Sequence, residues 1–531
     1  MRILIGFVFL LIGGFAYSQQ YSQYENFDFD PFSRYLYKPG TNFHTSVRNY
    51  RIDEINKVID SDSAIYIGIR VPDKKMNFWR RIVHDDLFRW KTEDIKVCIN
   101  PLFDFGAGYE TNDSKFTWRN TRGVFAQGNI GKYVSFYTDF VENQALFPNY
   151  IDEFAEKYNI IPGQGKRKKY GDDGHDFAQA TGWFSLDFAE YFNVTLGYGK
   201  NFIGDGYRSL IMSDAAFSYP YLKFTTTFWK IKYTFLWNNM IQLVRDNSLG
   251  DTRYPAKYSA NHYIDWNIGK RFSLGLFANV VWARYDSITG YRGVDYSYLI
   301  PGVFVRPVEY ANGSPDNVTM AINLKYVAAK WLTFYGQFVL GEFKFDEVFS
   351  GEKWWANKQG FQIGVKTFDL FNVKNLDFQA EYNQVRPYTY SHYTPIYGYS
   401  HYNQPMAHIL GANFREGVFI LRYRHNRWML KGQLVKSMYG DDYGDGVSWG
   451  KDVLMGNINR PYDYGVYIGQ GLKTNVLYGD MSVSFIVNPR NMWNLTAGLR
   501  IRNLENEQRT QNTNYLYFAV RTSLKNLYWD F

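Results

Sequence analysis

The sequence predicts an all-β protein: a transmembrane antiparallel β-barrel of about 18 strands with a small N-terminal mixed or helical periplasmic segment. Three observations lead there. From about Lys96 onward, apolar and polar residues alternate with a period of two. The connections between the alternating stretches are short and long by turns. The only long apolar run lies at the very start, in "MRILIGFVFLLIGGFAYSQQ".

That run is the first element. Arg2 is followed by apolar residues from Ile3 to Phe15, then by Ala16 and Ser18 at the small-residue positions before a cut. The pattern is that of a Sec-type signal peptide over residues 1–18, too short to span a bilayer, with the mature chain expected to begin near Gln19. No Cys follows the cut to carry a lipid anchor. No second run approaches spanning length, so a membrane would have to be crossed by strands. Aromatic residues make up 20% of the chain, and Cys98 stands alone, which rules out an internal disulfide framework. The formal net charge of +8 comes without any block of Lys and Arg, which argues against a nucleic-acid partner.

Residues 19–95 form the second element. "SVRNYRIDEINKVI" and "NFWRRIVHDDLFRW" have helix-like spacing without sustained alternation. They are expected to make a small periplasmic segment packed at the barrel mouth.

Residues 96–531 are the barrel. "KYVSFYTDF" sets Val134, Phe136 and Phe140 against Tyr133, Ser135 and Asp139. "RFSLGLFANVVWA" sets Phe272, Leu274, Leu276, Ala278, Val280 and Trp282 against Ser273, Gly275 and Asn279. "MWNLTAGLRIR" sets Trp493, Leu495, Ala497, Leu499 and Ile501 against Asn494, Thr496, Arg500 and Arg502. Short turns fall at Gly131–Lys132, Glu190, Trp229–Lys230, Gly269–Lys270, Lys330, Phe371–Asn375, His425–Arg427 and Asn488–Asn491. Long polar connections fall at 143–176, 201–219, 243–261, 284–316, 344–358, 387–408 and 439–469. Membrane barrels keep short turns on the periplasmic side and long loops outside, whereas a soluble sandwich has no reason to sort them. The final strand lies in "YLYFAVRTSLKNLYWDF", with Leu516, Phe518 and Val520 on one side and Phe531 last. It is expected to pair with the first strand and so remove both edges.

Three long motifs carry a family resemblance: "LFPNYIDEFAEKYNIIPGQGK", "GYGKNFIGDGYRSLIMSDAAFSYPYLK" and "HYNQPMAHILGANF". They resemble the gliding-motility RemB group of Bacteroidota, and more distantly the Wzi capsule-assembly barrels. The likeness runs over most of the chain, to the final "YWDF". It implies an outer-membrane barrel tied to surface motility or to surface polysaccharide, with no catalytic residues. The Wzi relatives imply an eighteen-stranded barrel with a periplasmic helical part.

Three groups of candidate binding residues follow. Gly197, Gly199, Gly204 and Gly206 crowd Lys200 like a phosphate cradle, but the G-x-x-x-x-G-K-[ST] order is missing, and Ser209 lacks a G-x-S-x-G elbow. The stretch is expected to be an outer loop folded over or into the lumen. Its Asp205, Tyr207 and Arg208 are candidate ligand contacts, and Asp205, Arg208 and Asp214 can pair internally or with the wall. The loop "PYTYSHYTPIYGYSHYNQPMAH" repeats Tyr-Ser-His-Tyr, which makes Tyr390, Tyr393, Tyr399 and Tyr402 candidate platforms for sugar rings. Its His392, His401 and His408 lack the carboxylates or thiols that complete a metal set, so no metal and no cofactor is expected.

The third group comes from strand facing. If the apolar residues face lipid, then Lys223, Lys232, Lys325, Lys366, Arg422, Arg424, Lys431, Arg500, Arg502 and Arg521 face the lumen, opposed only by Asp377 and Glu381. Of these, Arg422, Arg424, Lys431, Arg500 and Arg502 are candidate contacts for an anionic solute or acidic polysaccharide. Ser209 and His175 are the only pair that suggests a hydrolase, and no Asp or oxyanion arrangement accompanies them, so no enzyme is expected.

The function expected from all this is non-catalytic: surface motility, or cell-surface polysaccharide and capsule assembly. A porin-like channel for anionic or sugar solutes is the alternative. The expected partners are outer-membrane lipid, surface polysaccharide and other motility or secretion components. The loop-length pattern makes a direct prediction about orientation. An epitope inserted near Gly250 or Ser350 should be reached by antibody on intact cells, and one near Lys330 should not. The reverse labelling would overturn the topology.

Overall fold

A computed structural model describes residues 26–69, 77–188, 191–243, 254–286, 290–301, 305–342, 344–522 and 525–531. The signal-peptide stretch 1–18, the turn residue Glu190 and the loop residue Gly250 lie outside the described residues. Among the described residues, eighteen antiparallel strands close into one barrel. The first nine are β1 (Ile95–Glu110), β2 (Lys115–Ile130), β3 (Val134–Leu146), β4 (Gly174–Phe188), β5 (Phe192–Gly199), β6 (Tyr219–Phe228), β7 (Ile231–Ile241), β8 (Ala256–Ile268) and β9 (Phe272–Ala283). The rest are β10 (Asn317–Ala329), β11 (Leu332–Leu340), β12 (Gln359–Thr367), β13 (Leu376–Val385), β14 (Phe414–His425), β15 (Trp428–Asp441), β16 (Leu472–Asn488), β17 (Trp493–Glu505) and β18 (Thr510–Thr522). β18 closes on β1 from Tyr515↔Glu110 to Arg521↔Asp104, so the sheet has no long free edge.

Alternation explains the wall. Phe184, Leu196, Ile363, Met481 and Leu516 stand exposed on the outside, where lipid would cover them, while Ser135, Asp139, Asn193 and Thr195 are buried on the inside. Where a neighbouring strand offers glycine, an inward tyrosine lies flat across it. A Cβ on Gly108 would meet the Tyr515 hydroxyl at 2.2 Å, and one on Gly275 would meet Tyr263 at 2.1 Å. The abundance of both residue types thus has a packing reason. At the turn end, Gly269 has φ +72 with open space around it, so backbone conformation alone calls for glycine there.

The connections at the other end are long, as expected, with two exceptions. Residues 111–114 and 506–509 make tight hairpins there, beside the closure of the sheet. The connection 284–316 also departs from a free outer loop. Tyr298 and Val305 turn back onto the outside of the wall and cover Tyr258, Ala260, Val280 and Trp282. His262, which points outward, accepts from the Tyr233 hydroxyl at 2.8 Å and donates to the Tyr298 carbonyl at 3.0 Å. Val280 and Trp282 therefore face outward but are packed against the protein's own chain, because bare lipid would leave His262 unsatisfied.

An eighteen-stranded barrel is too wide for its wall side chains to fill. Here chain segments fill it. Residues 26–69, part of the segment expected to pack at the barrel mouth, lie inside the turn end. Arg34 meets Asp377 of β13 at 2.8 Å, His44 meets Asp265 of β8 at 2.7 Å, Arg51 meets Asp187 of β4 at 2.7 Å, and Glu54 meets Lys232 of β7 at 2.8 Å. Their short helices, Ile52–Asn56 and Ser61–Ile65, pack with Phe32, Leu36, Tyr37 and Phe43 around a small apolar core. Residues 88–91 instead extend the sheet, pairing along the start of β1 from Phe88↔Ile99 to Lys91↔Lys96.

The C-terminal end differs from expectation as well. β18 stops at Thr522, and residues 525–531 run back inside the barrel, where Lys525 meets Asp139 of β3 at 2.6 Å. Trp529 then packs on Phe147 and Tyr150 near the loop end.

These facings predict two different failures. Ile363→Arg, in the middle of β12 and 62% exposed on the outside, should cost about 2–4 kcal/mol in lipid and thin the folded, heat-modifiable band. Asn279→Arg points inward, yet Asn279 has no exposed surface and donates to Asn261 at 2.6 Å, so it should also impair folding, by overpacking. Intact heat-modifiability of Asn279→Arg would mean that the lumen there is open.

Candidate functional site

The connection 200–218, between β5 and β6, leaves the wall and crosses the lumen. Residues 47–48 of the N-terminal segment pair with residues 202–203, which ties the two fillings together. Lys200 donates to the carbonyls of Gly163 and Asp214, at 2.7 and 2.9 Å, and cradles no phosphate-shaped gap. Gly206 is needed for close approach, because a Cβ there would meet a Glu381 carboxylate oxygen at 2.5 Å.

The charged side chains of Asp205, Arg208 and Asp214 bond to other segments and not to one another. Asp205 accepts from Tyr37 at 2.8 Å, Thr45 at 2.5 Å and Asn323 at 3.1 Å. Arg208 lies 2.9 Å from Glu416 of β14 and 3.1 Å from Asp530 of the tail, with all three side chains at most 2% exposed. The Tyr207 hydroxyl donates to Asp530 at 3.0 Å. Asp214 accepts from Tyr528 at 2.7 Å and Asn526 at 2.8 Å. Asp205, Tyr207 and Arg208 are therefore held by protein partners, with Arg208 Nη1 the one of their buried side-chain polar atoms left without a hydrogen bond.

The loop 386–413 lies above. Tyr390 and Tyr399, the first tyrosine of each repeat, are fully buried, and Tyr390 donates to the Leu210 carbonyl at 2.8 Å. Tyr393 is exposed, and Tyr402 packs tilted against Phe217 at 4.6 Å. The four rings do not share one face. The histidines do not converge either. His401 accepts from the Ile241 amide and donates to the Ser218 carbonyl, both at 3.1 Å, while His408 bonds Glu416 at 2.8 Å. Burial pushes His401 down to about 3 and His392 down to about 4. Ser209 donates to the Ile203 carbonyl at 2.5 Å, and His175 bonds Asp152 at 2.8 Å, so the two have separate partners.

The basic residues of the wall do face inward, but they do not make a bare cationic surface. Asp28 takes Lys431 at 2.7 Å and Arg422 at 3.6 Å. Asp480 takes Arg500 at 3.1 Å, and the Ile65 carbonyl accepts from Arg424 at 3.1 Å. More acids oppose them than Asp377 and Glu381: Asp480, Asp187 and Asp265 on the strands, and Asp28, Glu54 and Asp530 on segments outside the alternating stretches.

Several cavities stay open among the described residues, two of them toward the tail and the loop end. One of about 110 Å³ runs along the tail and is lined by Tyr207, Lys431 and Arg500. The other, of about 280 Å³, lies at the loop end beside Arg502. Its aromatic lining comes from Tyr150, Phe154 and Tyr158 of the helix Asn149–Tyr158, from Tyr439 and from Phe531. None of these five was singled out from the sequence. The signal was present: Tyr150, Phe154 and Tyr158 recur every four residues, the spacing of one helix face.

No protein-family model matches the chain, and no curated protein does. Among solved structures, Wzi of Escherichia coli, an outer-membrane protein involved in group 1 capsule assembly and a carbohydrate-binding β-barrel, is similar with a TM-score of 0.55. The match covers 95% of this chain and 99% of that one at 12% identity. The chain shares the barrel fold of Wzi. OprD of Pseudomonas aeruginosa is a looser match, with a TM-score of 0.42, 10% identity, and 80% of this chain against 94% of that one. The Wzi likeness bears out that side of the sequence resemblance as fold, while the gliding side rests on the sequence motifs alone.

Two predictions follow from the buried groups. Arg208→Met leaves Glu416 and Asp530 without their cation and should cost about 3–5 kcal/mol, read as a lower denaturation midpoint in urea. The histidines set a pH dependence. His392 and His401 stay neutral in the folded loop but would take a proton near 6.5 when unfolded. Their contribution is complete above that pH and is lost as pH falls toward 4 and then 3. Protease nicking within 386–413 should therefore rise between about pH 7 and pH 5; an unchanged rate would show that the rings titrate normally.

Proposed function

We propose that this chain is a closed, non-catalytic outer-membrane barrel that handles surface polysaccharide, either in capsule assembly or in support of gliding. The observation that carries this reading is the filled lumen. Residues 26–69 occupy the turn end, residues 200–218 the middle, and the tail 525–531 joins the middle to the loop end through Asp214, Arg208 and Tyr150. A solute channel of the porin kind needs a wet path through that space. The description of Wzi as a carbohydrate-binding barrel of capsule assembly supports the polysaccharide reading, and the RemB-like motifs support the motility side. Outer-membrane lipid, surface polysaccharide and motility or secretion components are the partners this role calls for.

The test is conductance in planar bilayers together with a clean deletion strain. The purified barrel is expected to be silent. A variant lacking Gly204 to Ala215 should stay nearly silent as well, since residues 26–69 still cross the turn end. The deletion strain is expected to lose capsule staining, gliding, or both. A steady open channel in the intact protein would favour the porin reading and overturn this one.

A further inference from the structure

We infer that the cavity between the N-terminal segment and the wall at the turn end binds a phosphoryl group, as inorganic phosphate or as the end of a phosphate monoester, between Arg48, Lys366 and Arg422. This site lies at the opposite end of the barrel from the loops and stands independently of the surface role.

The argument begins with donors that lack acceptors. Lys366 lies on β12 near the turn end, faces inward and is 7% exposed. Among the described residues its Nζ donates once, to the Tyr37 hydroxyl at 3.2 Å, and meets no carboxylate. Arg422 of β14 leaves Nε and Nη2 buried without a hydrogen bond, and Arg48 of the N-terminal segment leaves its Nε so. Arg48 forms no ion pair among the described residues; its guanidinium lies between Phe27 at 4.3 Å and Phe202 at 4.8 Å. Buried N–H groups of this kind are costly until an acceptor reaches them.

The charges do not balance either. Arg34 and Asp377, both on the lining, cancel at 2.8 Å, and Arg424 donates to the Ile65 carbonyl. Deeper in, the Thr45 hydroxyl bridges Asp205 and Lys325, at 2.5 and 2.7 Å. What remains is Arg48, Lys366, Arg422 and Lys431 against Asp28 and Asp30. Asp28 is shared, by Lys431 at 2.7 Å and Arg422 at 3.6 Å. Asp30 accepts from the backbone amides of Phe32 and Ser33, at 2.8 and 3.2 Å. Four cations thus face two carboxylates, with Arg424 left out of the count. Water can accept the idle N–H bonds, but it leaves this excess of two charges in place.

Charge, acceptors and size then select the ligand. A carboxylate carries one charge on two oxygens, whereas a phosphate monoester carries about 1.5–2 charges on three. The free volume is about 80 Å³. At roughly 10–15 Å³ for one water, that is room for about five to eight oxygen-sized atoms. A phosphoryl group with its ester oxygen fits; a hexose ring does not. Since Arg48 sits on the filling and Lys366 and Arg422 on the wall, the bound group would pin one to the other.

The test is titration calorimetry of the full chain in detergent and phosphate-free buffer near neutral pH, with inorganic phosphate, glycerol 3-phosphate and acetate. A second arm places the chain in nanodiscs with and without phosphatidic acid. Phosphate and glycerol 3-phosphate are expected to bind, and acetate about tenfold or more weakly. Phosphate should also slow protease cleavage within residues 26–69. Protection by phosphatidic acid alone would assign the group to a lipid headgroup and keep the site. Lys366→Met removes a buried cation that has no carboxylate, so it should fold, yet weaken phosphate about tenfold or more. Arg422→Gln leaves Asp28 on Lys431 and decides the matter if Lys366→Met fails to fold. Equal affinity for acetate, no binding of any phosphate probe, or unchanged binding by a folded variant would overturn the inference.

Discussion

Arg208 joins three parts of the chain at one buried point: the connection 200–218 that carries it, the wall through Glu416, and the tail through Asp530. With almost no water near, each of these charges depends on the others. The backbone amides of Tyr207 and Arg208 extend the node by donating to Glu381, at 2.8 and 3.1 Å. The tail cannot leave the lumen without stripping the arginine of one counter-charge. The closed state of the barrel is thus written into an electrostatic requirement of its interior.

The same requirement repeats toward the turn end. Wall cations such as Lys232 and Lys431 find their partners on the N-terminal segment, in Glu54 and Asp28. Wall acids such as Asp187, Asp265 and Asp377 find theirs in Arg51, His44 and Arg34. Charge runs both ways between wall and filling, so neither is complete alone. The outside follows a different rule, because lipid offers no hydrogen bonds. A patch of mixed polarity there, around His262, is covered by Tyr298 and Val305.

The loop-end cavity is assembled from pieces remote in sequence: a helix between β3 and β4, the end of β17, and Phe531. Helix Asn149–Tyr158 is fixed from behind by Ile151 and Ala155, and ends at Asn159 in the left-handed conformation with φ 58. Tyr150, Phe154 and Tyr158 face the cavity. Since the Tyr150 hydroxyl donates to the Trp529 carbonyl at 2.9 Å, any motion of the tail would move the floor of this cavity as well.

The sequence by itself determined the wall. Period-two alternation separates lipid-facing residues such as Leu196 and Leu516 from lumen-facing ones such as Arg500 and Lys232, because a strand has only two faces and a closed sheet gives each one solvent. Loop lengths likewise sorted the two ends, apart from the hairpins at 111–114 and 506–509. The filling was beyond its reach. Asp28, Tyr37, Arg208 and Asp530 lie in stretches without alternation, and local pattern carries no record of which distant charge each will meet. That Tyr390 would be core while Tyr393 stays exposed, or that Arg502 would border an open cavity, depends on which segments occupy the lumen. Only the tertiary structure decides this, since the cost of an unpaired charge is set by everything that excludes water around it.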